Sequence, residues 1–184
     1  MSRNTILRSV KGTIEFNCKP KFGLVLIGFN GPPFCDHRFT FGTFDLKGSI
    51  LFFGTARIGI GTNICVDGAL EIGNDFQTNG SSSIICHDRI SFGEAVLVSW
   101  DVTIIDTDMH SIFSEDNILV NPNKLISVGS NVWIGFGATI LKGSFLPEGS
   151  VIAANALISG ALVDGPSVYA GRNALLKKNI IWKR

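Results

Sequence analysis

The stretch SVGSNVWIGFGATILKGSFLPEGSVIAANALISG, residues 127–160, decides the fold, because an aliphatic residue returns at every sixth position through it. These residues are Val128, Ile134, Ile140, Leu146, Ile152 and Ile158. Small or apolar residues follow each of them four positions later: Val132, Ala138, Ser144, Ser150, Ala156 and Leu162. A six-residue period fits neither an α-helix nor simple strand alternation. It predicts a coil with three flat sides, whose inward residues stack in rows when successive coils pile up.

The same period continues toward the N-terminus in two blocks, one through Ile60, Val66 and Ile72 and one through Phe92, Val98 and Ile104. The two blocks differ in phase by two residues, which predicts a slip or bulge within residues 78–89. Ile104 and Val128 are in phase, so residues 105–127 are predicted to form a loop that leaves the solenoid and rejoins it in register. A loop of that length in a compact domain is usually functional or mobile.

The organisation that follows is a single all-β domain over residues 1–184. Residues 1–47 have a weak period and are expected to form an N-terminal cap or first coil. Residues 48–171 form the solenoid, and residues 172–184 form a short terminal helix or strand. Caps are expected because the last coil at each end would otherwise expose unpaired strand edges.

The composition is that of a folded, soluble protein, with 45% hydrophobic and 17% charged residues. A net charge of +1 gives no sign of a nucleic-acid or membrane-surface partner. The apolar run Gly23–Phe29 is too short to span a bilayer, and the start has no signal-peptide character, so we expect a cytoplasmic protein. The widely spaced Cys18, Cys35, Cys65 and Cys86 are expected to be reduced thiols without a metal.

The predicted loop begins with Asp106, Asp108 and His110 at alternate positions, which would project to one side of an extended segment. An imidazole that titrates near neutrality suits the removal of a proton from a hydroxyl nucleophile. A carboxylate could orient the ring and stabilise the imidazolium. We favour Asp108 for that role, with Asp101 as a further candidate. The alternative is a solvated loop histidine beside two turn aspartates.

The six-residue ladder, the DTDMH of residues 106–110, the NVWIG of residues 131–135 and the ending VIAANALISGALVDGPSVYAGRNA resemble the left-handed β-helix acyltransferases. The resemblance covers about Ile58 to Ala174 and is greatest to sugar O-acetyltransferases of the galactoside/maltose type and the cell-surface polysaccharide type. It implies a left-handed helix, which the spacing does not determine. It also implies acetyl-CoA as co-substrate, a saccharide acceptor, and a homotrimer that binds the donor between neighbouring subunits.

The same resemblance implies roles for particular residues. His110 is the general base, Trp133 lines the acyl-donor channel, and coenzyme A is met by Phe136, Ala154, Ser159 and Gly160. Lys178, together with Lys177 and Arg172, could contact the coenzyme's phosphates. Asn79 and Asp88 fall at sugar-binding positions, with His87 nearby. The chain departs from the relatives at residues 171–175, GRNAL, where they often have a proline and a basic residue, and this weakens the case for the phosphate contacts.

We therefore expect O-acetylation of a saccharide by direct transfer, without a covalent enzyme intermediate. N-acylation of an amino sugar is an alternative that would use the same donor. A zinc lyase of the γ-carbonic anhydrase type would need three converging histidines, whereas His37, His87 and His110 are widely separated in sequence. A non-catalytic solenoid is the remaining alternative.

Overall fold

The computed structural model describes residues 1–31, 36 and 38–183, in which all regular structure is β. The strands form three sheets, and the chain visits them in turn. The first sheet contains β1 (Thr5–Val10), β4 (Gly42–Leu46), β7 (Asn63–Val66), β10 (Ser83–Cys86), β13 (Thr103–Ile105), β16 (Thr139–Leu141) and β19 (Leu157–Ile158). The second contains β2 (Thr13–Phe16), β5 (Ser49–Phe52), β8 (Ala69–Ile72), β11 (Arg89–Phe92), β14 (Ile126–Val128) and β17 (Phe145–Leu146). The third contains β3 (Val25–Ile27), β6 (Ala56–Ile58), β9 (Phe76–Thr78), β12 (Leu97–Val98), β15 (Trp133–Ile134), β18 (Val151–Ile152), β20 (Ser167–Ala170) and β21 (Ala174–Lys178).

Neighbouring strands pair in parallel throughout the three sheets, apart from the antiparallel pair β20–β21. The sheets form the walls of a three-sided solenoid, and we call its edges the first corner (between the first and second sheets), the second corner (between the second and third) and the third corner (between the third and first). Inward side chains of one coil lie directly on those of the next: Ile64, Ile84, Ile104 and Ile140 are in register and no more than 1% exposed. The predicted all-β solenoid is confirmed.

The coils do not all have the same length. In the N-terminal half, residues in register are 20 apart, as in Asn63, Ser83 and Thr103, whereas Thr139 and Leu157 are 18 apart. The extra two residues lie where the first sheet meets the first corner, and they add one inward residue to each coil: Leu46, Val66, Cys86 and Asp106, all 0% exposed. The predicted slip within residues 78–89 is therefore one instance of a feature that recurs in every N-terminal coil.

Both ends of the solenoid are closed by strands. Parallel pairing begins at β1, inside the segment for which the sequence predicts a cap. At the other end β21 turns back along β20, and its five residues are exposed. No helix capable of spanning a membrane occurs among the described residues.

Candidate active site

The excursion begins at the first corner, where Asp106 replaces a backbone carbonyl. In the coils below, the two N–H groups of each corner donate to one carbonyl of the next coil: those of Asp67 and Gly68 donate to Cys86 O at 2.8 and 3.1 Å. After Asp106 the chain leaves the solenoid. The N–H groups of His87 and Asp88 donate instead to the Asp106 carboxylate, at 2.7 Å to Oδ1 and 2.8 Å to Oδ2. The Asp106 side chain thus completes the hydrogen bonding of the corner, which allows the main chain to leave the solenoid as a loop.

The loop returns beside its point of departure and is held there by Lys142 and Asn121. Lys142 Nζ donates to Asp108 Oδ2 at 2.5 Å and to Asn121 O at 2.9 Å. Asn121 Nδ2 donates to Asp108 Oδ2 and to the backbone carbonyl of His110, both at 2.8 Å. An isolated bridge between Phe113 and Leu119 closes the tip. These contacts fix the backbone that carries His110.

Asp108 accepts hydrogen bonds from Lys142 and Asn121, and we call this set of contacts the loop clamp. The hydrogen bond from Lys142, followed by that from Asn121, lowers the pKa of the Asp108 carboxyl below its ordinary value. The imidazole of His110 makes no hydrogen bond or ion pair within the described part of the chain. Asp101 lies in the third corner, where its N–H donates to Gly80 O. The described contacts therefore pair neither candidate carboxylate with the His110 ring.

A cavity of about 250 Å³ lies between the loop and the first corner. Its lining residues are His87, Thr107, Met109, His110, Ser111, Leu119, Asn121, Pro122 and Asn123. Hydroxyl, amide and imidazole groups predominate in this set, and such groups pair with the hydroxyls of a sugar. The cavity brings together two histidines from separate parts of the chain, one on the loop and one on the solenoid.

His87 is a functional candidate to which the sequence pattern assigns no role beyond its position near Asp88. It follows Lys47 and Asp67 at 20-residue intervals, so the three side chains occupy one column along the first corner. That interval, once recognised as the coil length, would have identified the column. A strict six-residue period conceals it.

The proposed donor residues fall mainly on the opposite side of the solenoid from the cavity. Trp133 lies on β15 in the third sheet and is 38% exposed. Its Nε1–H donates to Ser99 Oγ at 3.0 Å, and its ring lies 5.9 Å from that of Trp182. Phe136 lies at the third corner, where its ring lies 5.4 Å from that of Trp100, and Ala154 follows one coil later.

Two other donor candidates are on the side of the cavity. Ser159 and Gly160 follow β19 and lie one coil beyond Leu141 and Lys142 at the first corner. Ser159 exchanges two hydrogen bonds with the Asn173 side chain, at 3.0 and 2.6 Å. Gly160 has a φ of +87°, and a Cβ built on it would contact nothing within 4 Å, so the surface there is open.

The remaining candidates are separated from one another. Lys178 Nζ lies 2.8 Å from Asp164 Oδ1, so the cation expected for phosphate contact is already paired. Asp88 is exposed at the first corner beside His87. Asn79 is at the third corner, where its Oδ1 accepts a hydrogen bond from Gln77 at 3.2 Å. The two predicted sugar-binding residues therefore lie on different edges of the solenoid.

No group of three His, Cys, Asp or Glu side chains that could hold a metal ion occurs among residues 1–31, 36 and 38–183. His37 and Cys35 lie outside the described residues. Cys86 points into the core, where burial, followed by the nearby Asp106 charge, raises the pKa of its thiol to about 12. Such a thiol is unreactive at neutral pH.

A second cavity, of about 520 Å³, lies on the second corner beneath the C-terminal segment. Ile180, Ile181 and Trp182 form its cover. Trp182 Nε1–H donates to Asn131 O at 2.7 Å, which holds the segment against the solenoid next to Trp133. The chain end therefore adjoins the wall that carries the proposed donor residues.

No protein-family profile matches the chain. Individual proteins of similar sequence are known, however. A protein of Escherichia coli (strain K12) assigned as the lipopolysaccharide biosynthesis O-acetyl transferase WbbJ is 23% identical over 134 residues, which are 67% of this chain and 68% of the relative. A polysialic acid O-acetyltransferase of Neisseria meningitidis is 38% identical over 66 residues, 35% of this chain and 31% of the relative. The chain thus spans about two thirds of one curated relative and under a third of the other.

Solved structures match over nearly the whole chain. The polysialic acid O-acetyltransferase OatWY superposes with a TM-score of 0.65 at 20% identity, covering 98% of this chain and 91% of that one. The polySia-specific acetyltransferase NeuO gives 0.62 at 19% identity, covering 100% and 90%. These likenesses show the fold, including its expected left-handed sense. The chain thus has the left-handed β-helix fold of these two acetyltransferases, and in sequence it is similar to proteins named as O-acetyltransferases.

Proposed function

We propose that the protein transfers an acetyl group from acetyl-CoA to a hydroxyl of a saccharide. The observation that carries the proposal is the polar cavity that places His110 of the loop opposite the solenoid wall. Sequence relatives that are named as O-acetyltransferases support the reaction class. A saccharide acceptor suits a cavity lined with hydroxyl, amide and imidazole groups. The cytoplasmic location expected from the sequence belongs to the same proposal.

In the proposed reaction His110 acts as the general base. Its imidazole takes the proton of the acceptor hydroxyl as that oxygen attacks, and the imidazolium then protonates the departing sulfur. Acetyl-CoA, when bound, supplies the acyl group as an activated thioester. The open surface at Gly160 and the small Ala154 leave room for an extended thioester arm along the solenoid. Transfer is direct, with no covalent enzyme intermediate, and no metal is required.

We further propose a homotrimer in which neighbouring subunits complete each site. Within one chain the His110 cavity is at the first corner, while Trp133 and Phe136 lie on the third sheet and third corner. A second copy could bring its third wall against the first corner of its neighbour. The loop also exposes apolar side chains suited to such a contact: Ile112, Phe113, Ile118, Leu119 and Val120.

The test of the base assignment is His110→Ala assayed with acetyl-CoA and a panel of hydroxyl-only and amine-bearing saccharides. We expect turnover to fall at least about a hundredfold, with an unchanged oligomeric state. Glu115→Gln, an exposed change on the same loop outside the cavity lining, is the matched control and should retain full activity. Retention of most activity by His110→Ala would overturn the assignment. Acetylation of amine-bearing sugars alone would replace O-transfer by N-transfer.

A further inference from the structure

His87 is held from two directions at the first corner. Its backbone N–H donates to the fully buried Asp106 carboxylate. Its ring lies against Asp67, with 3.8 Å between Nε2 and Asp67 Oδ2, and Asp67 Oδ1 in turn lies 3.1 Å from Lys47 Nζ. The solenoid thus holds the backbone of His87 and places its ring beside Asp67, whereas the exposed His110 depends on the loop clamp.

The ring of His87 has unused hydrogen-bonding capacity. At 3.8 Å the contact with Asp67 is too long for a hydrogen bond. Neither ring nitrogen makes a hydrogen bond to any of the residues that the structure describes. The side chain is 24% exposed. The ring is therefore partly accessible and free to bond to a ligand.

His87 lines the same cavity as His110. Thr107 and Ser111, which carry hydroxyl groups, and Asn123, which carries an amide, line it as well. A ligand that bonds to His87 would therefore also be within the reach of neutral polar groups that match sugar hydroxyls. At a polar surface of this kind, binding gains most from a ligand that reproduces the hydrogen bonds of the water it displaces.

We propose that His87 is an acceptor-binding residue, which hydrogen-bonds a saccharide hydroxyl beside the one that His110 deprotonates. Asp67 keeps the ring in place. The assignment rests on the proposed function for its acceptor class, and it divides the two histidines by role: His87 binds and orients, and His110 moves the proton. A purely structural role for His87 would affect folding instead of the response to acceptor.

The first experiment compares His87→Phe, which keeps a flat ring without nitrogens, with His87→Gln, which restores a polar group. We expect His87→Phe to raise the KM for the acceptor about tenfold, with kcat at saturating acceptor and the KM for acetyl-CoA within about threefold of wild type. His87→Gln should recover part of the loss. Arg89→Gln, an exposed change at the same corner outside the cavity lining, is the matched control.

An unchanged acceptor KM in His87→Phe would overturn the proposal, as would a drop in thermal stability that accounts for the whole loss. A second measurement separates this inference from the proposed reaction: binding of a neutral oligosaccharide set by wild type and His87→Phe without acetyl-CoA. If wild type transfers no acetyl group but binds a saccharide through His87, the proposed reaction is wrong and the acceptor-binding role of His87 is supported. If wild type binds no saccharide, both proposals are wrong.

Discussion

Asp106 shows how one side chain lets a regular solenoid release a loop. At every earlier first corner a carbonyl of the next coil accepts two N–H groups, as Val66 O does for Lys47 and Gly48. Asp106 supplies two carboxylate oxygens to the same pattern while its own main chain turns outward. Charge-assisted hydrogen bonds of this kind are stronger than neutral ones, which offsets part of the cost of burying the carboxylate.

Asp106→Ala should therefore destabilise the fold by about 3 kcal/mol, because it leaves two N–H groups without acceptors in the corner. Asp106→Asn keeps one acceptor and should lose less. Urea unfolding at equal protein concentration measures both effects. Asp116→Ala, an exposed change on the loop, is the control and should be neutral. A midpoint for Asp106→Ala equal to that of wild type would contradict the proposed role of the carboxylate.

At the scale of the structural elements, residues 107–124 form an insertion that the packing of the solenoid does not require. Thr103 and Thr139 are 36 residues apart in register, twice the 18 that separate Thr139 from Leu157. The N–H of Lys124 donates to Asp106 O at 3.2 Å, so the two ends of the insertion already meet. The loop is clamped at its base by Lys142.

Joining Asp106 directly to Leu125 should leave a coil of the C-terminal type. We expect the variant to retain the far-UV circular dichroism of a β-protein and to lose the proposed acetyl transfer completely, because His110, the proposed base, is removed with the loop. The deleted residues contribute little to the buried core of a single chain, so a fall in the thermal midpoint of more than a few degrees should reflect contacts that the loop makes between subunits. Loss of the β signal would show that the loop is part of the folding unit.

At the scale of the whole molecule, the separation between the first corner and the third wall determines how sites can form. If each site takes His110 from one subunit and Trp133 from the next, inactive variants should complement each other. In a cyclic homotrimer every subunit contacts its neighbour through the same pair of surfaces, so the number of intact sites in a mixed trimer can be counted.

His110→Ala and Trp133→Ala should each be inactive alone. Mixed trimers, purified through two different affinity tags, should contain one intact site each and regain roughly a third of wild-type turnover. Mixed trimers of His110→Ala with wild type provide the reference for assembly. No recovery in the mixed trimers would place the whole site within one chain.

The six-residue rows of aliphatic side chains determine the solenoid by themselves, because only a three-sided coil buries all of them at once. The same phase argument gives the position of the loop, since Ile104 and Val128 keep one register across it. The DTDMH segment identifies His110 as a candidate base from residue type alone. These features are local in sequence, and their physical causes are periodic burial and side-chain chemistry.

Only the tertiary structure decided which side chains share a surface. Asp106 accepts backbone hydrogen bonds at the first corner, and Asp108 accepts a hydrogen bond from Lys142, although the two aspartates occupy alternate positions before His110. The column of Lys47, Asp67 and His87 arises because the N-terminal coils contain 20 residues, so residues far apart in sequence lie one coil apart in space. Stacking sets these contacts, and the length of each coil depends on how its corner is hydrogen-bonded to the next.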